Sequence, residues 1–278
     1  MSDESFGNVF DLSGSVCAVI GATGTLGGAI ARGLAGHGAR VAVIGRSADR
    51  GEARASEIRS AGGQCVFVKA DAGDRASLEA AVATLEGELG ECDVLVSAAG
   101  GNSPRASVTE DQVMSELPLD AWRDNFDTNL VSGALLPAQV FGHAMVERGR
   151  EGRPASIINI ASVASHIPVS RGVAYSAAKA AVVNLSMFLA REWAPSNVRV
   201  NTITPGFFPA EQNKALLFNE DGTPTPRAQQ ILGHTPAGRF GEPDELIGAA
   251  VFLASHRASR FVTGTDLRVD GGFLATTI

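Results

Sequence analysis

The sequence predicts an α/β fold: a single domain over residues 1–278, built as a doubly wound, seven-stranded parallel sheet with helices on both faces. Three observations predict it. Short β-rich runs alternate with longer helical ones over the first two-thirds of the chain, the order that lays parallel strands side by side through helical crossovers. No linker, internal repeat or low-complexity tract interrupts that alternation. The chain has 278 residues, 45% apolar and 19% charged, enough to bury the core of one α/β domain, which commonly reaches about 250 residues.

Taken in order, runs 16–20 and 41–44 are continuously apolar, as strands covered on both faces must be, and between them Leu26, Ile30 and Leu34 recur at helical spacing. Further strands are predicted at 65–69, 94–97, 156–160, 198–203 and 267–269, with helices over 48–61, 76–89, 120–148, 176–193 and 244–253. Two stretches exceed ordinary connector length. Residues 101–117 form one; residues 206–240, with Pro224, Pro226 and Pro236, form the other and are expected to act as a loop or lid over substrate.

Bulk chemistry excludes several classes. With 23 basic and 30 acidic residues the net charge is -7, which disfavours a surface for nucleic acid. No apolar run looks long and uninterrupted enough to span a bilayer, so no membrane partner is expected. The acidic start, MSDESFGNVFDLSG, lacks the basic and apolar regions of a secretory signal, and a cytoplasmic protein is expected. Cys17, Cys65 and Cys92 are odd in number, widely spaced and set in apolar runs, which predicts buried thiols rather than disulfides or a metal site. There are three lysines, Lys69, Lys179 and Lys214, and one tyrosine, so chemistry that needs either has few candidates.

After the first strand comes Gly21-Ala-Thr23-Gly24-Thr25-Leu26-Gly27-Gly28, running directly into a helix. A pyrophosphate approaches a backbone only where side chains are absent, and a helix N-terminus offers free N–H groups and positive potential. The strand–turn–helix context makes this a Rossmann-like dinucleotide turn. At the end of the second strand, where an NAD enzyme usually carries a carboxylate for the adenosine ribose, the sequence has Gly45-Arg46-Ser47. Arg46, Ser47 or Arg50 could instead bind a 2′-phosphate, which favours NADP(H), with NAD(H) as the alternative. Asp71, followed by Ala72, is placed either to accept from the adenine amino group or to start the next helix.

Tyr175 and Lys179 lie four apart at the start of an apolar-periodic helix and so share a face. A phenol titrates near ~10, too high for a base at neutral pH. An ammonium about 4 Å away at an effective dielectric of ~20 would favour the phenolate by roughly 4 kcal/mol before desolvation. Thirteen residues upstream, Ser162 ends the strand that carries Ile160, where a hydroxyl could meet a substrate oxygen. Ala98-Ala99-Gly100-Gly101 after the fourth strand and Pro205-Gly206 after the sixth put small residues on the same edge, giving a flat cofactor clearance.

These residues resemble the single-domain short-chain dehydrogenase/reductases, over nearly the whole chain from Leu12 to Phe273. The resemblance implies a catalytic tetrad of Asn129, Ser162, Tyr175 and Lys179. Tyr175 would exchange the proton, Ser162 orient the substrate oxygen, Lys179 hold the nicotinamide ribose and lower the tyrosine pKa, and Asn129 position a relay water. It also implies that Pro205-Gly206, with Phe208, flanks the carboxamide, that Val269-Asp270-Gly271-Gly272 is a structural closing segment, and that the enzyme is a homotetramer packed through the helices around 120–148 and 175–193. There are departures. The family turn usually begins Thr-Gly with its second glycine one place after Gly24, whereas here Ile20 precedes Gly21 and Thr25 fills that place; its Asn-Asn-Ala-Gly is Ser97-Ala98-Ala99-Gly100.

Pro205-Gly-Phe-Phe208, Glu211-Gln212-Asn213, Ala215-Leu-Leu-Phe218 and the run His234 to Gly241, with Gly100-Gly-Asn102, are similar to the D-mannonate oxidoreductase (fructuronate reductase) branch. That similarity implies a sugar-acid substrate. Asn102, Gln212 and Asn213 would then bond hydroxyls while Arg105, His166, Arg171 or Lys214 faces a carboxylate. Arg239 reads as structural. Two other functions remain open: a 3-oxoacyl or hydroxysteroid-type reductase, for which Phe207, Phe208, Leu216, Leu217 and Phe218 would line an apolar slot, and a non-catalytic dinucleotide-binding regulator.

Overall fold

A strand with all of its side chains buried can lie only inside a sheet covered on both faces, and the run Val16–Ile20 buries all five of its residues. In the computed structural model, which describes residues 8–277 apart from 111 and 212, it is the first of seven strands. The chain runs β1 (Val16–Ile20), α1 (Thr25–Gly36), β2 (Arg40–Gly45), α2 (Ala48–Ser60), β3 (Gln64–Lys69), α3 (Arg75–Glu88) and β4 (Val94–Ser97). It continues through α4 (Leu119–Phe126), a π-helical segment (Asp127–Leu135), α5 (Leu136–Arg150), β5 (Ala155–Ile160), α6 (Val173–Trp193) and β6 (Val198–Pro205). Then come α7 (Lys214–Leu217), α8 (Pro226–His234), α9 (Ile247–Ala254), α10 (His256–Ser259) and β7 (Asp266–Val269).

The strands are ordered β3-β2-β1-β4-β5-β6-β7 and every neighbouring pair is parallel. The expected seven-stranded, doubly wound sheet is therefore present. Chain direction across the sheet reverses between β1 and β4, so the turns leaving these two strands diverge and open a crevice at the carboxyl edge, where such sheets bind ligands.

Alternation along β1 feeds two cores. Cys17 and Val19 pack with Ile30, Leu34, Val41, Val43 and Leu253 on one face. Val16, Ala18 and Ile20 pack with Leu78, Leu85, Phe141 and Met145 on the other. Each fully buried large side chain contributes about 1.5–3 kcal/mol relative to exposure. The three thiols are buried and unpaired, and burial pushes Cys65 up to about 11 and Cys92 to about 12.

The structure departs from the sequence reading in three places. The helix expected over 120–148 is broken by the π-helical Asp127–Leu135, which the 3.6-residue apolar period does not reveal. The stretch 206–240, expected as a long loop, contains α7 and α8; Thr225 Oγ1 accepts from the Ala228 N–H at 3.2 Å and Pro226 sits in the first turn, so one of the prolines in that stretch is a helix start. The segment Val173–Ser196 is long and apolar enough to cross a membrane by length and composition, contrary to expectation. Its inner face is spent on the sheet, with Ala178, Lys179, Val182 and Ser186 buried.

Candidate active site

Three glycines of the first turn have different physical reasons. Gly21 has φ +82, and a Cβ there would lie 2.7 Å from the Ala98 backbone. A Cβ on Gly27 would lie 2.6 Å from the Gly21 carbonyl oxygen, so both are required by the fold itself. Gly24 is not crowded in this way: a Cβ would meet only the Gly21 oxygen, at 3.3 Å. Gly24 is the N-cap of α1, no side chain caps that helix, and its first turn has no acidic residue. The N–H groups of Thr25, Leu26 and Gly27 thus begin a helix without a protein acceptor for its positive end, which fits an anionic pyrophosphate. Thr23 lies over Gly45, whose added Cβ would come 2.7 Å from Thr23 Cγ2. Next to it Arg46 is exposed and, among the described residues, has no ion-pair partner. Ser47 is the extended N-cap of α2, and its hydroxyl makes no capping bond.

Asp71 accepts from the Gly73 N–H at 2.9 Å, closing a turn; the helix start is capped by Asp74 instead. Ala72 and Ala99 pack partly buried against the second core.

The catalytic candidates converge from three elements. β5 ends in Ile160, whose carbonyl accepts from Lys179 Nζ at 2.8 Å. Tyr175 and Lys179 share a face of α6, with Nζ 5.8 Å from the phenol ring centre. Ser162, just past β5, hydrogen-bonds the phenol and also accepts from the Ala164 N–H at 3.2 Å. Gly100, at φ +150, closes the group: a Cβ there would lie 2.8 Å from Asn129 Oδ1 and 3.3 Å from Lys179 Nζ.

Asn129, fully buried, lies in the π-helical segment. Its Nδ2 donates to the carbonyls of Gly101 (2.8 Å) and Asn125 (2.9 Å), and its Oδ1 accepts from the Gly101 N–H (3.0 Å). The side chain ties the loop after β4 to the helix. Sequence reading missed Asn125, whose Oδ1 also accepts from Asn129 (3.0 Å) and whose Nδ2 reaches Asn102 Oδ1 (3.4 Å). Its signal was the four-residue spacing to Asn129, which puts both amides on one helix face.

The electrostatics differ from expectation. Burial pushes the Tyr175 phenol above its ordinary value, and the Ser162 hydrogen bond draws it partly back. Lys179 is itself only 4% exposed, and desolvation lowers it to about 8. The expected depression of the phenol was counted before desolvation, and here burial of both groups outweighs it, with the ammonium also donating to the Ile160 carbonyl.

The predicted substrate residues divide. Asn102 lies beside Gly172, three residues before Tyr175: a Cβ on Gly172 would lie 3.9 Å from Asn102 Nδ2, and that Nδ2 donates to Ser107 Oγ at 3.1 Å. Gln212 lies outside the described residues. The Asn213 amide is engaged with its own loop: its Oδ1 accepts from the Ala210 N–H (2.8 Å) and its Nδ2 donates to the Phe208 carbonyl (2.9 Å). His166 is bonded to Asp266 (2.9 Å), and Asp266 accepts from Thr202 and Thr204 at 2.6 Å each, so the imidazole belongs to the β6–β7 layer rather than to a carboxylate site. Arg105 pairs with Asp120 (2.5 Å) and is already neutralised. Phe208 is buried against Gly241 in the first core, and Gly206 packs on Asp270, where a Cβ would lie 2.7 Å from Cα. Leu217, Ala228 and Ile231, with Phe207, Phe218 and Phe240, form a small core within residues 206–240, while Phe207 and Phe208 also line a small cavity with Thr235, Gly241 and Val269. Arg239 pairs bidentately with Glu245 (2.7 and 2.6 Å), the structural role expected of it.

This arrangement agrees with what the chain is similar to. The family model described as enoyl-(acyl carrier protein) reductase matches residues 21–274. An uncharacterized oxidoreductase, UxuB, of Bacillus subtilis is 41% identical over 273 residues, covering 95% of this chain and 96% of that one. A solved structure from Haemophilus influenza, a candidate D-mannonate oxidoreductase with bound NAD, superposes with a TM-score of 0.89 at 36% identity, covering 97% of this chain and 99% of the other. A gluconate 5-dehydrogenase from Burkholderia cenocepacia in complex with NADP and tartrate does so with a TM-score of 0.85 at 32% identity, covering 96% and 98%. A chain with a glycine turn at the switch point of a seven-stranded parallel sheet, and with Tyr175 and Lys179 on one face of α6, is thus similar to these along nearly its full length: the protein belongs to the short-chain dehydrogenase/reductase family, nicotinamide-dependent oxidoreductases acting on CH–OH groups.

Proposed function

We propose that this enzyme moves hydride reversibly between NAD(P) and a secondary alcohol or ketone of a sugar acid, of the D-mannonate/D-fructuronate class. The observation that carries the reading is the chain's single tyrosine, hydrogen-bonded by Ser162 on the same helix face as the buried Lys179, opposite a Gly100 that leaves no room for a side chain. When bound, the dinucleotide supplies the hydride donor or acceptor. The N–H groups of Thr25, Leu26 and Gly27, with Gly21, Thr23 and Gly24, hold its pyrophosphate; Arg46 and Ser47 hold a 2′-phosphate, which favours NADP(H); Asp71 and Ala72 line the adenine; Ala99, Gly100, Ile160, Pro205, Gly206 and the backbone of Phe208 line the nicotinamide side. Tyr175 passes the proton to or from the substrate oxygen, and Ser162 orients that oxygen. Lys179 holds the ribose hydroxyls. Asn129 is a positioning residue acting through Gly101, and a relay water beside it would have to be held by its main chain, since its side chain is fully engaged. Residues 206–240 close over the substrate as a lid.

The raised phenol makes cofactor charge more important: at neutral pH Tyr175 is held as an acid, suited to giving its proton to a ketone, and a cationic oxidised ring nearby favours the phenolate needed for alcohol oxidation. The polar Asn102 beside Gly172, in the turn that leads to Tyr175, and the sugar-acid names of similar proteins support a polyhydroxy acid over an acyl or steroid ketone. A panel of hexonates and ketohexuronates, run with NAD and NADP and followed by absorbance of the reduced ring, tests the reading. A substrate among them is expected; turnover confined to acyl or steroid ketones would refute the sugar-acid assignment.

A further inference from the structure

Arg227 of α8 touches the residue next to Arg171, in the segment leading into α6, and each of these two arginines occupies a position that its local backbone disfavours. Arg171, four residues before Tyr175, has φ +71, the left-handed region that side chains other than glycine, asparagine and aspartate seldom occupy. Its carbonyl is held there by the Val108 N–H at 2.9 Å. Arg227 sits in the first turn of α8, where a cation opposes the helix dipole, and no acidic residue shares that turn. Arg227 NH1 reaches Ser170 Oγ at 3.3 Å, which brings the lid helix against the residue adjoining Arg171. Among the described residues neither guanidinium has a carboxylate partner, although the chain carries 30 acidic residues and several other arginines are paired.

The Arg227–Ser170 contact brings a second arginine without a carboxylate partner to the segment that carries Arg171, so an anion bound there would meet positive charge from both elements. We propose that Arg171 and Arg227 form a clamp for the carboxylate of the substrate, one arginine from the catalytic loop and one from the lid. The inference rests on the sugar-acid reading above and assigns the acid end of that substrate to these two side chains. Planar guanidinium groups suit a carboxylate because each can donate two parallel hydrogen bonds. A ligand bridging both would also draw α8 onto the residues preceding Tyr175, coupling recognition of the acid to closure over the reacting carbon.

The test uses Arg171→Asn and Arg227→Gln, singly and together. Asparagine tolerates the left-handed backbone, and glutamine removes the charge that opposes the α8 dipole, so both variants should match or exceed the wild-type melting temperature. For each variant, kcat/KM is measured on a sugar acid and on the corresponding neutral alditol, and tartrate binding is measured by calorimetry in the presence of cofactor. The clamp predicts that the acid-to-alditol ratio of kcat/KM falls about 10-fold to 100-fold per arginine, as expected for loss of charged hydrogen bonds, with tartrate affinity falling alongside it. Equal losses on acid and alditol, or a lowered melting temperature that accounts for the loss, would overturn the clamp and leave the sugar-acid reading intact. A wild-type enzyme that turns over no sugar acid would overturn that reading and the clamp's occupant with it.

Discussion

Asn129 and Gly101 are joined as two strands are joined: the side-chain amide donates to the Gly101 carbonyl at 2.8 Å and accepts from its N–H at 3.0 Å. The loop after β4 is therefore held in place by a side chain of the π-helical segment, and Gly100 is held against Lys179 as a result. Asn129→Ala should leave Gly101 unpaired at a buried site and destabilise the protein by about 1–3 kcal/mol. Urea denaturation measures this. The same variant should weaken cofactor binding, because the loop lines the nicotinamide side.

Lys179 gives a pH signature of stability. Burial lowers its pKa from 10.5 to about 8, so the folded protein binds this proton less tightly than the unfolded chain does. Between those two values unfolding takes up a proton, and wild-type stability gains on the order of 3 kcal/mol as pH rises from about 8 to about 10.5. Lys179→Met lacks the titration. Denaturation of both proteins at intervals from pH 7 to pH 10.5 should show wild type catching up with the variant as pH rises; a constant difference would show that the ammonium is not desolvated.

Arg46→Ala should weaken NADP(H) at least about tenfold while changing NAD(H) much less, since a bidentate arginine–phosphate contact is worth roughly 1.5–3 kcal/mol. Fluorescence titration with the two reduced nicotinamides measures both constants. Equal effects would remove the preference for NADP(H).

Met187 and Phe188 project from the outer face of α6, 47% and 50% exposed. In the homotetramer that the family resemblance implies, packed through the long helices, this face would meet a partner. Phe188→Arg is expected to lower the mass seen by light scattering to dimer or monomer, whereas an unchanged mass would place the assembly contact elsewhere.

The positions of the strands and the shared face of Tyr175 and Lys179 were legible in the sequence because both depend on short-range regularities: continuous apolar runs for the strands, a four-residue spacing for the pair. The π-helical turn at Asn129 was not, since one extra residue in a helix leaves the composition unchanged. α8 was hidden by the usual reading of proline as a breaker, although Thr225-Pro226 is also a helix start. Asn213 and His166 were misjudged for a different reason: whether a polar side chain faces a ligand depends on which backbone amide or carboxylate the fold brings to it, and those partners, Phe208 and Asp266, are not signalled by spacing. The tyrosine pKa failed similarly, because desolvation is set by the whole packed layer around the phenol.

The central claim is that Tyr175 handles the substrate proton. Tyr175→Phe keeps the ring and removes only the hydroxyl, so the folded state and cofactor binding should survive. With a reactive sugar acid at saturating cofactor, kcat should fall at least ~10²-fold, as expected for loss of a general acid/base, while the dissociation constant for reduced nicotinamide stays close to that of wild type. Turnover near the wild-type rate in a protein that still binds cofactor would contradict the assignment.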